Sequence, residues 1–366
     1  MTPADDIAHM RHAIALGARG VGRIGRVPSV GCVIVSPDGR VVGRGRTDER
    51  GRPHAEIVAL AQAGSQARRA TAYVTLEPCS HRGTTGGPCA DALIAAGIAR
   101  VVVACGDPDP RVNGAGLARL RAAGIEVEAG LLDGQARVTL EGFFSHIVRK
   151  RPYVTLKIAQ SLDGKTATVT GDSKWITGEA SRRFGHLLRA RNDAILIGAN
   201  TALADDPELT CRLAGLEDHT PLRVILDTTL RLGETSKLAA TAARHPTLVF
   251  TASEGGAVLK AKGVEIVVLP RDARGRPDLG AVLQALSQRN VTRLLVEGGA
   301  TVHAAFLDRG FADALEIFTA PIVLGGAGHG AVDALAALTL GEAPKFMRTQ
   351  VREFGADVLE SYAARA

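Results

Sequence analysis

Short β-branched runs alternate with helix-like segments along the whole chain, and this alternation fixes the class of fold. Residues 5–20 predict a helix capped at Asp5 or Asp6, with Ile7, Met10, Ile14 and Ala18 near one face. VGCVIVSPDGRVVGRG (30–45) predicts a hairpin turned at Pro-Asp-Gly. A helix follows at 54–64, closed by Gly64, then a strand at 71–77. A short helix at 90–98, a strand at 100–107, and a helix and strand within 116–132 complete the series. This order implies a mixed sheet covered by helices, an α/β domain.

The segment FFSHIVRKRP (143–152) marks a boundary, because it clusters basic residues and Pro152 cannot continue a helix. The expected domains are 1–147 and 148–366. Beyond it, apolar runs at 153–159, 194–200, 222–227, 247–252, 265–270, 293–299 and 316–325 predict strands. Helical segments at 181–191 and 279–288 alternate with them, which makes a second α/β domain. A length of 366 residues accommodates two such domains. No internal repeat with a period of roughly 20–50 residues is present.

Composition narrows the function classes. With 46% apolar and 22% charged residues, disorder is excluded as the main state. Aromatic residues at 4% argue against a single-strand nucleic-acid binder built on stacking platforms. The net charge is +6, and residues 1–150 carry 19 Lys and Arg against 14 Asp and Glu. This modest excess suits an anionic small substrate and is too diffuse to argue for DNA. Five cysteines, an odd number, do not resemble a secreted disulfide framework. The start, MTPADDIAHMRHAI, has no apolar signal region, and no run of about 18 apolar residues occurs anywhere. The expected address is a reducing cytoplasm, with no membrane.

Four residues at element boundaries carry chemistry. His54 and Glu56 open one helix, Cys79 follows a strand, and Cys89 precedes another helix. Three nitrogen and sulfur ligands leave the fourth zinc position open for water. The metal acidifies that water, and a carboxylate two residues from the histidine reaches the same place to shuttle protons. The set matches the zinc-deaminase pattern H-x-E…P-C-x-x-C apart from a wider cysteine spacing. Cys32, Cys105 and Cys211 read as core residues.

In the second domain, the Gly-rich turn Gly298 to Thr301 follows a strand, which lets backbone N–H groups approach a phosphate. No G-x-G-x-x-G follows a strand, so a Rossmann site is not supported. Trp175 is the only tryptophan.

VGCVIV (30–35), GRPHAE (51–56), TAYVTLEPCSH (71–81) and DALIAAG (91–97) resemble the bifunctional deaminase/reductase family of riboflavin biosynthesis. The resemblance runs through both domains. It implies a cytidine-deaminase-like α/β/α domain followed by a dihydrofolate-reductase-like α/β domain. It also implies zinc at His54, Cys79 and Cys89, Glu56 as the catalytic acid and base, and NADPH as the second cofactor. Cofactor contacts then fall on Ala159, Trp175, Thr201, Asp205, Gly298, Gly299, Ala300 and Thr301. Substrate contacts fall on Lys157, Ser173, Arg189, Leu209, Arg212 and Glu297, with the two arginines as phosphate partners because guanidinium forks bind phosphate bidentately. The implied substrate is a phosphoribosylated diaminopyrimidinone. The expected partners are this small molecule and a second copy in a homo-oligomer, with no nucleic acid.

Three positions depart from the family pattern. Arg26-Val27-Pro28 stands for Pro-Asn-Pro, Thr47 for a histidine, and GTTGGP (83–88) makes the loop between the cysteines one residue longer. Two rival readings stay open: a reductase with a degenerate deaminase domain, and a nucleic-acid base deaminase.

Overall fold

The computed structural model describes residues 2–80 and 87–365. The chain divides after Lys150 into two compact units.

The first unit holds a five-stranded sheet in the order Val41–Arg46, Gly31–Val35, Thr71–Leu76, Arg100–Cys105, Glu126–Ala129. The first two pairings are antiparallel and the last two parallel. Gly31–Val35 and Thr71–Leu76 are buried at every position, because helices cover both faces, and this is why they read as unbroken apolar runs. Two helices lie directly on strand backbone. A Cβ added at Gly31 would stand 1.9 Å from the Ala13 carbonyl oxygen, and one at Gly45 would stand 1.9 Å from that of Ala55. Only glycine permits this approach.

The first helix runs Pro3–Ala18 and is capped by Thr2, not by Asp5 or Asp6. Thr2 and Asp5 form a reciprocal capping box. Asp6 turns inward, where its carboxylate accepts from Arg100 and Tyr73. A helix at Asp133–Phe144, which the strand and helix patterns did not signal, closes the unit with Ala136 and Leu140 buried.

The second unit holds a nine-stranded sheet ordered Val264–Val268, Thr247–Thr251, Leu222–Leu226, Ala194–Gly198, Arg293–Val296, Tyr153–Ser161, Ala314–Ala320, Asp357–Ala364, Phe346–Phe354. The first seven are parallel and the last two form an antiparallel hairpin. The strand expected over 316–325 stops at Ala320, before Pro321. The terminal hairpin escaped the sequence pattern because Phe346–Phe354 is exposed at all but its two ends. Helix Ala199–Asp205 starts directly after a strand, and helix Ala300–Asp308 follows another strand after three intervening residues. Their first residues therefore lie at the carboxyl edge of the parallel strands, where open α/β sheets form ligand crevices. Among the described residues, no helix is long and apolar enough to cross a membrane.

Candidate active sites

In the first unit, His54 is the residue before helix Ala55–Ala63, with an extended backbone that releases its side chain from the helix. Glu56 lies in the first turn and is only 3% exposed. The strand Thr71–Leu76 continues into Glu77-Pro78-Cys79, and Cys89 starts the helix Cys89–Ala95. The Cys89 backbone N–H donates to Cys79 Sγ at 3.3 Å. His54 Nδ1 lies 3.6 Å from Cys79 Sγ and 3.3 Å from Cys89 Sγ. A tetrahedral zinc with bonds of about 2.0 Å to nitrogen and about 2.3 Å to sulfur separates such atoms by about 3.5 Å. The donor set and its spacing therefore fit zinc, and all three ligand atoms lie within 4.8 Å of one another.

Electrostatics agree with that use. Hydrogen bonding from Cys89, then from His54, holds the Cys79 thiol well below its ordinary range. Burial pushes the Glu56 carboxyl up to about 7. A carboxyl poised there takes and returns protons near neutral pH.

The sequence reading missed the part played by Glu77. Its buried carboxylate accepts from the backbone N–H groups of Gly114 and Gly116, both at 2.9 Å, and of Leu117 at 3.3 Å. It thus ties the start of helix Ala115–Ala122 to the strand end that carries Cys79. An acid wedged between a buried strand and Pro-Cys was the available signal. Thr47, 1% exposed, spends its hydroxyl inside the fold: it accepts from Val30 N at 3.0 Å and donates to Pro28 O at 3.1 Å. Val27 packs over Gly51, where an added Cβ would meet it at 3.0 Å. Most of the long loop between the cysteines, residues 81–86, lies outside the described residues.

In the second unit, Arg189 comes from a helix, Lys157 from a strand and Glu297 from the residue just past another strand, and the three converge. Arg189 donates Nε to Glu297 Oε1 and Nη2 to Oε2, and Lys157 Nζ lies 3.9 Å from Oε2. Burial would raise the Glu297 carboxyl, but the charges of Arg189 and Lys157 outweigh it and hold it at about 2. Arg189 also donates to the Thr210 carbonyl. Arg212 is exposed, near Glu208 and His186. Leu209 is buried. Ser173 and Trp175 precede helix Glu179–Ala190, and Trp175 is 66% exposed with Arg182 stacked 4.7 Å from its ring centre.

A cavity of about 410 Å³ opens at the strand ends. Of the expected cofactor contacts, Thr201, Gly299 and Thr301 line it, whereas Ala159, Trp175, Asp205, Gly298 and Ala300 do not. A Cβ at Gly299 would come within 3.3 Å of Thr201 Oγ1, so a side chain there would fill the cradle. Arg231, Arg274, Arg276 and Arg309 also line it, and the sequence reading named none of them. Guanidinium groups beside the backbone at a helix start suit a phosphate-bearing dinucleotide, so the residues fit NADPH.

Two units with these sites define a zinc-dependent deaminase joined in one chain to an NADPH-dependent reductase. The family model of the cytidine and deoxycytidylate deaminase zinc-binding region matches residues 3–105. That of the RibD C-terminal domain matches residues 152–359. The riboflavin biosynthesis protein RibD of Aquifex aeolicus is 42% identical over 357 residues, 97% of each chain. That of Escherichia coli is 39% identical, over 96% of this chain and 98% of its own. The solved structure of Acinetobacter baumannii RibD superposes with a TM-score of 0.86 at 38% identity, covering 99% of each chain. The Thermotoga maritima diaminohydroxyphosphoribosylaminopyrimidine deaminase/5-amino-6-(5-phosphoribosylamino)uracil reductase gives 0.86 at 35% identity, again over 99% of each. The chain belongs to the RibD family, the bifunctional deaminases and reductases of riboflavin biosynthesis.

Proposed function

We propose that the first unit removes an amino group hydrolytically from a phosphoribosylated diaminopyrimidinone, and that the second reduces the ribosyl side chain of the product to ribityl. The deaminase takes residues 1–150 and the reductase 151–366, three residues later than the expected boundary at 147/148.

His54, Cys79 and Cys89 hold the zinc. Bound there, the metal makes a water nucleophilic near neutral pH. Glu56 takes a proton from the attacking water and returns it to the amino nitrogen, which leaves as ammonia. Thr201, Gly299 and Thr301 would hold NADPH within the cavity, and Ala159, Trp175, Asp205, Gly298 and Ala300 would meet the parts of it that extend beyond; the cofactor supplies the hydride. Lys157, Ser173, Leu209 and Glu297 hold the substrate around the opening sugar. Arg189 orients Glu297, and the exposed Arg212 meets the phosphate.

The observation that carries this reading is the convergence of His54, Cys79 and Cys89 beside the buried Glu56. The few aromatic residues support a free nucleotide as the substrate, not nucleic acid, and the odd cysteine count supports work in a reducing cytoplasm. The open edge strand Phe346–Phe354 offers a surface for a homo-oligomer, which light scattering measures. Incubating the purified protein with the diaminopyrimidinone nucleotide, with and without NADPH, tests the main reading by mass spectrometry. Deaminated product without NADPH, and deaminated and reduced product with it, are expected. No deamination by a zinc-loaded protein whose reductase works would favour a degenerate first unit.

A further inference from the structure

Leu209 and Arg212 sit on the segment 206–213, which is neither helix nor strand. Side chains from neighbouring elements hold it in place. Arg223, fully buried, donates Nη1 to the Glu208 carbonyl at 3.1 Å. Arg189 donates Nη1 to the Thr210 carbonyl at 3.1 Å. His186, one turn before Arg189 on the same helix, places Nδ1 3.2 Å from that same carbonyl. Between these anchors Leu209 has φ 54°, a region that leucine avoids, so the anchors impose the path of the segment.

The imidazole has a second contact. Nδ1 faces the Thr210 carbonyl oxygen at 3.2 Å and the Arg212 backbone N–H at 3.3 Å; the shorter contact assigns Nδ1 the proton, and Nε2 of the neutral ring is then an acceptor. Arg212 Nη2 lies 3.4 Å from Nε2, while Arg212 Nη1 lies 3.5 Å from Glu208 on the other side. Burial, with the charges of Arg189 and Arg212, pushes His186 down to about 4, so the ring is neutral in the working range. A neutral acceptor orients a guanidinium without cancelling its charge. Glu208 already draws on Nη1, so the neutral imidazole holds the guanidinium a second time without adding a second negative charge to compete with an incoming phosphate.

We propose that His186 is a positioning residue of the reductase: one ring nitrogen fixes the Thr210 carbonyl, and the other steers Arg212 toward the anionic group of the substrate. This rests on the reading of Arg212 as a phosphate contact.

The test uses the full-length enzyme with NADPH and the deaminated nucleotide, and compares KM with kcat. His186→Ala is expected to raise substrate KM about fivefold, the effect of one lost hydrogen bond, with kcat and the KM for NADPH nearly unchanged. His186→Asn keeps a donor at the place of Nδ1 and loses the acceptor at Nε2, so it folds and still raises KM. On an Arg212→Ala background, His186→Ala is expected to add nothing, because the two act as a unit. The proposal falls if His186→Asn has the parent's KM while Arg212→Ala raises it. It falls also if the His186→Ala effect persists in full on Arg212→Ala, or if kcat and the KM for NADPH collapse with it. A parent-like KM in Arg212→Ala removes the phosphate reading itself, and the proposal with it.

Discussion

Arg189 grips Glu297 with two parallel hydrogen bonds, each 2.9 Å long, so the fork that could hold a phosphate already holds a carboxylate. Both side chains are largely buried. Lys157 stays 3.9 Å from Glu297, so removing the Arg189 fork leaves a buried charge only partly compensated, at a cost toward the lower end of about 3–5 kcal/mol. Arg189→Met should therefore destabilise the second unit by that order, and Arg189→Lys by less. Denaturant titration followed through reductase activity measures this, with deaminase activity as an internal control. Parent-like stability in Arg189→Met would show that Glu297 finds another partner.

Zinc should bind at about one ion per chain, as a single three-ligand site with an open position requires. Cys79→Ser should lose that metal on dialysis and lose deamination, while the reductase keeps its rate. Elemental analysis beside the two assays decides it. Full zinc in the serine variant would remove Cys79 from the ligand set.

Glu56→Gln keeps the shape of the side chain and deletes its base. Deamination should fall by roughly 10²-fold or more. Zinc content and reduction should stay at the parent's level. An unchanged deamination rate would contradict the proton shuttle.

Acid stability should depend on Asp6. Hydrogen bonding from Arg100, reinforced by Tyr73, outweighs burial and holds its carboxyl below the ordinary value of 3.8. A depressed folded value means that the stabilisation is complete above the unfolded value. It is lost as pH falls through the folded one. The gap in Tm between the parent and Asp6→Asn should be widest above about pH 5 and close in stronger acid. A gap that stays constant across that range would show that the carboxylate charge is not what matters.

The strands were legible where both faces are buried, because burial forces continuous apolar runs, as in Thr71–Leu76. The zinc set was legible because His, Cys and Glu are chemically distinctive even when far apart in sequence. Phe346–Phe354 was silent for the opposite reason: an exposed edge strand has no apolar face to advertise it. The cavity arginines were silent because they come from three separate segments, Arg231, the Arg274 and Arg276 turn, and Arg309, and each alone reads as a solvated surface charge. Thr47 looked like a vacancy in a substrate pocket, yet its hydroxyl closes a backbone bond between the Pro28 and Val30 positions. Only packing distinguishes those roles.

Helix Ala55–Ala63, which places His54 and Glu56, rests on a bare strip of strand at Gly43 and Gly45, where added Cβ atoms would stand 2.3 and 1.9 Å from helix carbonyl oxygens. A spacer made of side chains can be retuned by exchanging one hydrocarbon for another. A spacer made of peptide planes has no such adjustment. The height of the two reacting groups above the sheet is thus set by direct contact of backbone with backbone. Saturation mutagenesis at 43 and 45 should return glycine alone, and any engineering of the pocket for a new base will have to come from loops and not from the floor.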